Sequence, residues 1–127
     1  MLTVFLDRFL KGMAMNHPET CDEQATRVGL ADTRAWIARI LAKHSAPYSQ
    51  AIRDALSIAR GREARLVETT AFHAARREGS AAELAYVRAM ISRIESGEPT
   101  PFCAEFDLEP MRASAARLER RLATEEK

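Results

Sequence analysis

Valine is scarce in this chain: four occur in 127 residues, while alanine is abundant. β-branched residues favour strands and alanine favours helices, so the composition excludes an extensive sheet and predicts an all-α fold. Cysteine is scarce as well. Cys21 and Cys103 are too few for a disulfide framework and form no Cys-x-x-Cys pair. With no secretion signal, both thiols are expected reduced in a cytoplasm. No apolar run reaches the roughly 18 residues that a membrane span needs. Met1–Leu10 lacks a basic stretch before its apolar residues and a small-residue cleavage site after them, which makes a poor signal peptide.

Net charge is nearly absent too. The formal value is +1, so no global field draws the chain to nucleic acid or an anionic membrane. Residues 1–63 carry 9 basic and 7 acidic side chains, and residues 64–127 carry 10 and 11. Lysine is rare, with 3 against 16 arginines. Arginine makes bidentate contacts that lysine cannot, but a GC-rich genome produces the same bias.

What is present is helical periodicity. The length suits one domain spanning 1–127, with 1–15 as an amphipathic arm. The organising stretch is about 46–78. Ser45 is its expected N-cap, Pro47 suits a first turn, and Gly79 suits a helix end. Gly61 interrupts it and predicts a kink or local weakness. Thr20 and Glu23 form a capping box for a helix ending near Val28, and Asp32 can cap another over Thr33–His44. Ser80 and Glu83 form a second box. Leu84, Val87, Ile91 and Ile94 then define one apolar face, closed by Gly97. Phe102 and Phe106 are expected to anchor the proline-containing connection at 98–103. The last helix is expected to begin at Pro110, with Met111, Ala115, Leu118 and Leu122 as its stripe. The expected architecture is an antiparallel bundle of four to six helices around the long one.

Ala25, Gly29 and Leu30, ahead of Asp32, resemble the turn of a helix-turn-helix, in which a small residue and a glycine four apart let two helices cross closely. The resemblance covers about 20 residues. It implies a DNA-binding regulator built on residues 20–44, with Thr33, Arg34, Arg39 and Lys43 as the contacts. Trp36, Ile37 and Ile40 depart from it, because they want a protein neighbour more than a groove.

Residues for chemistry are sparse. His17, His44 and His73 form no Glu-x-x-His or His-Glu-x-x-His pattern, and no glycine-rich phosphate loop or nucleophile elbow occurs. No catalytic residue, cofactor or metal ligand is expected. The primary reading is a small cytoplasmic regulatory or adaptor protein, non-catalytic, acting through protein contacts with a partner or with itself. A helix-turn-helix regulator is the alternative. A helical enzyme or metal protein with a site invisible in sequence is the third. Leu2, Phe5, Leu6, Phe9 and Leu10 share one helical face and form the expected interaction surface of a homodimer. Deleting residues 1–14 is therefore expected to lower the mass measured by light scattering. A deletion that remains dimeric, or an intact chain that is monomeric at high concentration, removes this arm as the dimer contact.

Overall fold

The computed structural model describes residues 18–125, in which four helices and no strand occur. The arm at 1–15, with Leu2, Phe5, Leu6, Phe9 and Leu10, lies outside them. The helices are α1 (Cys21–Lys43), α2 (Gln50–Glu78), α3 (Ser80–Glu95) and α4 (Ala104–Glu125).

The first capping box forms as the sequence predicts. Thr20 Oγ1 accepts the Glu23 amide at 3.1 Å, and the Glu23 carboxylate accepts the Thr20 amide at 3.3 Å. The helix then runs unbroken through Gly29 to Lys43, so the expected end at Val28 and new start at Asp32 are corrected. Packing is the reason. Thr26, Thr33 and Ile40 are buried at intervals of seven, and only one uninterrupted helix turns all three toward one neighbour. Gly29 lies within that seam, where a Cβ would sit 3.7 Å from Leu66 of α2. Its conformation is helical, so the penalty of glycine in a helix is met without a break. The two buried threonines donate to carbonyls one turn back, Thr26 to Asp22 and Thr33 to Gly29.

The long helix starts later than expected. Ser49, not Ser45, accepts the Ile52 amide as N-cap, which leaves Ser45–Tyr48 in the connection with a cis Ala46–Pro47 peptide. It passes through Gly61 as one helix of 29 residues, about 43 Å long. Gly79, at φ 130°, is the single residue between α2 and α3, and it folds them back on each other. Gly79 also takes the N-cap position of α3, and no side chain caps that end, so the Ser80–Glu83 box is corrected: Ser80 is already helical. At the other end the Gly97 amide bonds the Ile94 carbonyl and the Glu98 amide bonds the Arg93 carbonyl. That pair is the Schellman closure, with Gly97 left-handed at φ 78°.

The last helix begins six residues before Pro110, a further correction. The Asp107 carboxylate accepts the Cys103 amide at 2.7 Å and Arg65 of α2 at 3.1 Å, which fixes a helical turn ahead of the proline. As a result Phe106 points outward at 72% exposure and anchors nothing. Phe102 does anchor, half-buried, with the Arg65 guanidinium 5.3 Å from its ring centre.

The helices pack in chain order: α1 on α2, α2 on α3, α3 on α4. Glu23–Arg77 with Arg34–Glu63, and Arg88–Glu119 with Arg112–Glu95, fix α1–α2 and α3–α4 as antiparallel, and the one-residue connection at Gly79 turns α3 back along α2. Leu84, Val87, Ala115 and Leu118 form the core, with Phe72, Ile91, Met111 and Leu122 packed against it. Met90, at 2% exposure, is the deepest large side chain, which leaves Ile91 and Ile94 only half-buried.

Two glycines test this description in opposite directions. Nothing lies within 4 Å of a Cβ at Gly61. Gly61→Ala is therefore expected to stabilise by about 1 kcal/mol in denaturant titration, the helix-propensity gain. Gly97→Ala, which needs left-handed backbone, is expected to lose about 1 kcal/mol. A neutral Gly97→Ala would contradict the Schellman closure.

Candidate interaction surface

The unequal lengths of α2 and α3 create the site. With its 16 residues α3 is about 24 Å long, and Gly79 aligns its start with the end of α2. It therefore covers only the latter part of α2. Tyr86 and Arg93 both meet Glu68, while Asp107 and Phe102 both meet Arg65. Residues 50–62 extend past these contacts, paired with the end of α1. Among the described residues, no hydrogen bond, ion pair or ring contact joins 50–62 to α3 or α4.

The inner seam of this projecting hairpin end is apolar. Ile40, Leu56 and Ala59 are buried, and Trp36, Ile37, Ile52 and Ala55 are half-buried. Leu41 and Ile58 remain outside at 42% and 65% exposure. Around them stand Arg39, Lys43, Arg53, Arg60 and Arg62, all exposed. Asp54 is the sole acid in residues 36–62. It accepts a hydrogen bond from Gln50, whose carbonyl oxygen in turn accepts from Arg53. None of the five bases makes an ion pair among the described residues. In the bundle Arg27, Arg34, Arg65, Arg88, Arg93 and Arg112 each face a carboxylate within 4 Å, while Arg76, Arg117, Arg120 and Arg121 make no ion pair among the described residues.

The four residues expected to touch DNA separate. Arg39 and Lys43 are on the hairpin end and accessible. Arg34 is exposed but bonded to Glu63 at 3.1 Å. Thr33 is 3% exposed, with its hydroxyl on the Gly29 carbonyl. Arg53, Arg60, Arg62 and Ile58 belong to no motif, and their charge is hidden in a sum over each half of the chain. A window over 36–62, five bases against one acid, carries the signal.

Two further places gather polar groups. Tyr86 donates to a Glu68 carboxylate oxygen at 2.5 Å, with Arg93 on the other oxygen at 3.3 Å. Burial and the Glu68 carboxylate push the phenol well above its ordinary range. Beside it lies an apolar cleft of about 260 Å³ over Val87 and Met90, walled by Phe72, Phe102 and Met111. Across the molecule, the Thr26 hydroxyl lies 2.9 Å from the Asp22 carbonyl and 3.3 Å from His73 Nε2, which links α1 to α2. Glu23 takes two bonds from Arg77, at 2.5 and 2.9 Å, tying the start of α1 to the end of α2. Cys21 and Cys103 are free and exposed. Among the described residues no group of three or more His, Cys, Asp or Glu could hold a metal ion, and no helix is long and apolar enough to cross a membrane.

Comparison with protein-family models, curated proteins and solved structures finds no match to this chain.

Chiefly because of the Arg77 hydrogen bonds, helped by those from Thr20, the Glu23 carboxyl is held down at about 2. A carboxyl depressed in the folded state contributes stability above its unfolded pKa and loses it as pH falls toward the folded value. Wild type is thus expected to exceed Glu23→Gln in melting temperature at pH 6, with the gap closing between about pH 4.5 and 2. A gap that stays constant over that window would mean the Arg77 clamp is not formed in solution.

Proposed function

We propose that this chain is a small regulatory or adaptor protein that acts through protein contacts, without catalysis, and that its working surface is the projecting end of the α1–α2 hairpin. The observation that carries this reading is Ile58. It is a large aliphatic side chain at 65% exposure on a stretch of α2 that, among the described residues, makes no hydrogen bond, ion pair or ring contact with α3 or α4. Covering such a side chain is worth about 1.5–3 kcal/mol, which gives a docking partner an anchor. A partner protein or a second copy of the chain would supply the cover. In the self-association reading, Leu2, Phe5, Leu6, Phe9 and Leu10 are the other apolar surface. Two exposed thiols with no partner agree with a reducing cytoplasm.

The basic surplus at residues 36–62 favours a second reading, a nucleic-acid contact that includes Arg39 and Lys43. It would not be a helix-turn-helix, since α1 continues through Gly29.

A photo-crosslinking residue in place of Ile58, in cells that naturally express the protein, separates these readings. The expected product is a discrete protein adduct, absent when the crosslinker replaces exposed Arg120 on α4. Adducts only to nucleic acid, or none at position 58, would sink the protein-contact reading.

A further inference from the structure

We infer that the hairpin end binds an acidic amphipathic helix, which lays an apolar stripe over Ile58 and sets carboxylates against Arg39, Lys43 and Arg62. The inference rests on the protein-contact reading above and names the chemistry of the partner. Geometry assembles the face. Ile58 and Arg62 are four apart on α2, and Arg39 and Lys43 are four apart on α1, so each pair stacks on one side of its helix. The antiparallel register, set by Arg34–Glu63 and Glu23–Arg77, brings residue 58 level with residue 39 across the seam. The groove on one side of that seam is lined by Arg27, Ala31, Arg34, Thr70 and Ala74. At 100° per residue, Arg39, Lys43, Ile58 and Arg62 fall on the opposite side. Half-buried Trp36 lies on that side too, at the edge of the seam. The face is thus an aliphatic and aromatic centre flanked by bases, with Asp54, four residues before Ile58, as its one acid, hydrogen-bonded by Gln50.

Charge selects the partner. Residues 36–62 carry five bases and one acid, while the rest of the chain carries 14 bases and 17 acids. Residues 36–62 thus hold a local surplus of base where Leu41 and Ile58 are exposed, and among the described residues none of their five bases makes an ion pair. Two of the three flanking bases are arginines, whose fork takes a carboxylate in bidentate fashion. The apolar centre decides between acidic partners. A phosphate backbone offers nothing to cover Ile58 and Trp36, whereas an amphipathic helix offers a stripe of matching width.

Fluorescence anisotropy on the full chain tests this. The probe is a fluorescein-labelled peptide of about twenty residues, with Leu and Ala at helical spacing and Glu on the remaining positions. The controls are a scramble of the same composition and a labelled duplex DNA of about 20 base pairs. The amphipathic peptide is expected to bind at least about tenfold more tightly than either control, and more weakly as salt rises. Arg39→Glu with Arg62→Glu is expected to abolish that preference, and Ile58→Ala to reduce it severalfold, all with unchanged circular dichroism. Arg53→Glu with Arg60→Glu, on the other side of the seam, is expected to cost less than the first pair. Equal binding of the scramble, tighter binding of the duplex, or indifference to Arg39→Glu with Arg62→Glu overturns the proposal. A protein adduct at position 58 combined with no peptide binding would remove the acidic helix and leave the protein-contact reading standing.

Discussion

The seam between α1 and α2 is the constraint on which the rest of the structure depends. It is dry at Ile40, Leu56 and Ala59, and it carries two threonines, Thr26 and Thr33, whose hydroxyls bond back to their own helix. A buried hydroxyl without a partner costs more than a good bond returns, so these internal bonds let the seam run through polar positions. Because the seam runs the length of α1, α2 must be long and continuous. Because Gly79 turns α3 straight back, the second layer starts at one end of α2. The mismatch in length then leaves residues 50–62, among the described residues, without a hydrogen bond, ion pair or ring contact to α3 or α4.

Charge follows the same division. In the bundle, ion pairs such as Arg88–Glu119 and Arg112–Glu95 lie along the α3–α4 pair. Exposed pairs of this kind contribute little to stability, about 0–1 kcal/mol each, but they cancel the local field. Among the described residues no carboxylate does this for Arg39, Lys43, Arg60 or Arg62 at the hairpin end. Within a Debye length of about 8 Å at physiological ionic strength, that surplus stays visible to an approaching partner even though the whole chain is nearly neutral. The proposed function depends on this local surplus of base beside exposed aliphatic side chains in a chain that is nearly neutral as a whole.

Much of the fold was legible in the sequence. The all-α class, the antiparallel arrangement, the Thr20–Glu23 box, the closures at Gly79 and Gly97, and the faces carrying Leu84, Val87, Ala115 and Leu118 all follow from local chemistry. The errors cluster where two local signals compete. Ser45 and Ser49 both suit an N-cap, and Ser49 is used. Ser80 and Pro110 both suit a helix start, yet both lie inside helices because a neighbour fixes the turn before them, Gly79 in one case and Asp107 with Arg65 in the other. Of the four residues expected at a DNA contact, Arg39 and Lys43 are exposed on the hairpin end, Arg34 is paired with Glu63 and Thr33 is buried. That Arg53, Arg60, Arg62 and Ile58 share this exposed end is a matter of helix register, which no local pattern contains.

The sequence by itself determined which segments are helical, which faces are apolar, and that no strong global charge exists. These are properties of neighbours within a few residues, governed by propensity, capping and periodicity. Only the tertiary structure decided whether Gly29 breaks a helix and whether a given arginine is neutralised. It also decided which apolar residues remain in water. Gly29 stays helical because α1 must face α2 along one line, with Leu66 against it. Arg34 is paired because Glu63, 29 residues away, packs beside it. Ile58 is exposed on the part of α2 that lies beyond the contacts of Glu68 and Arg65 with the second pair of helices, since α3 is anchored at Gly79 and is the shorter of the two. Each of these outcomes rests on the length and register of a second helix, which no local pattern around the residue contains.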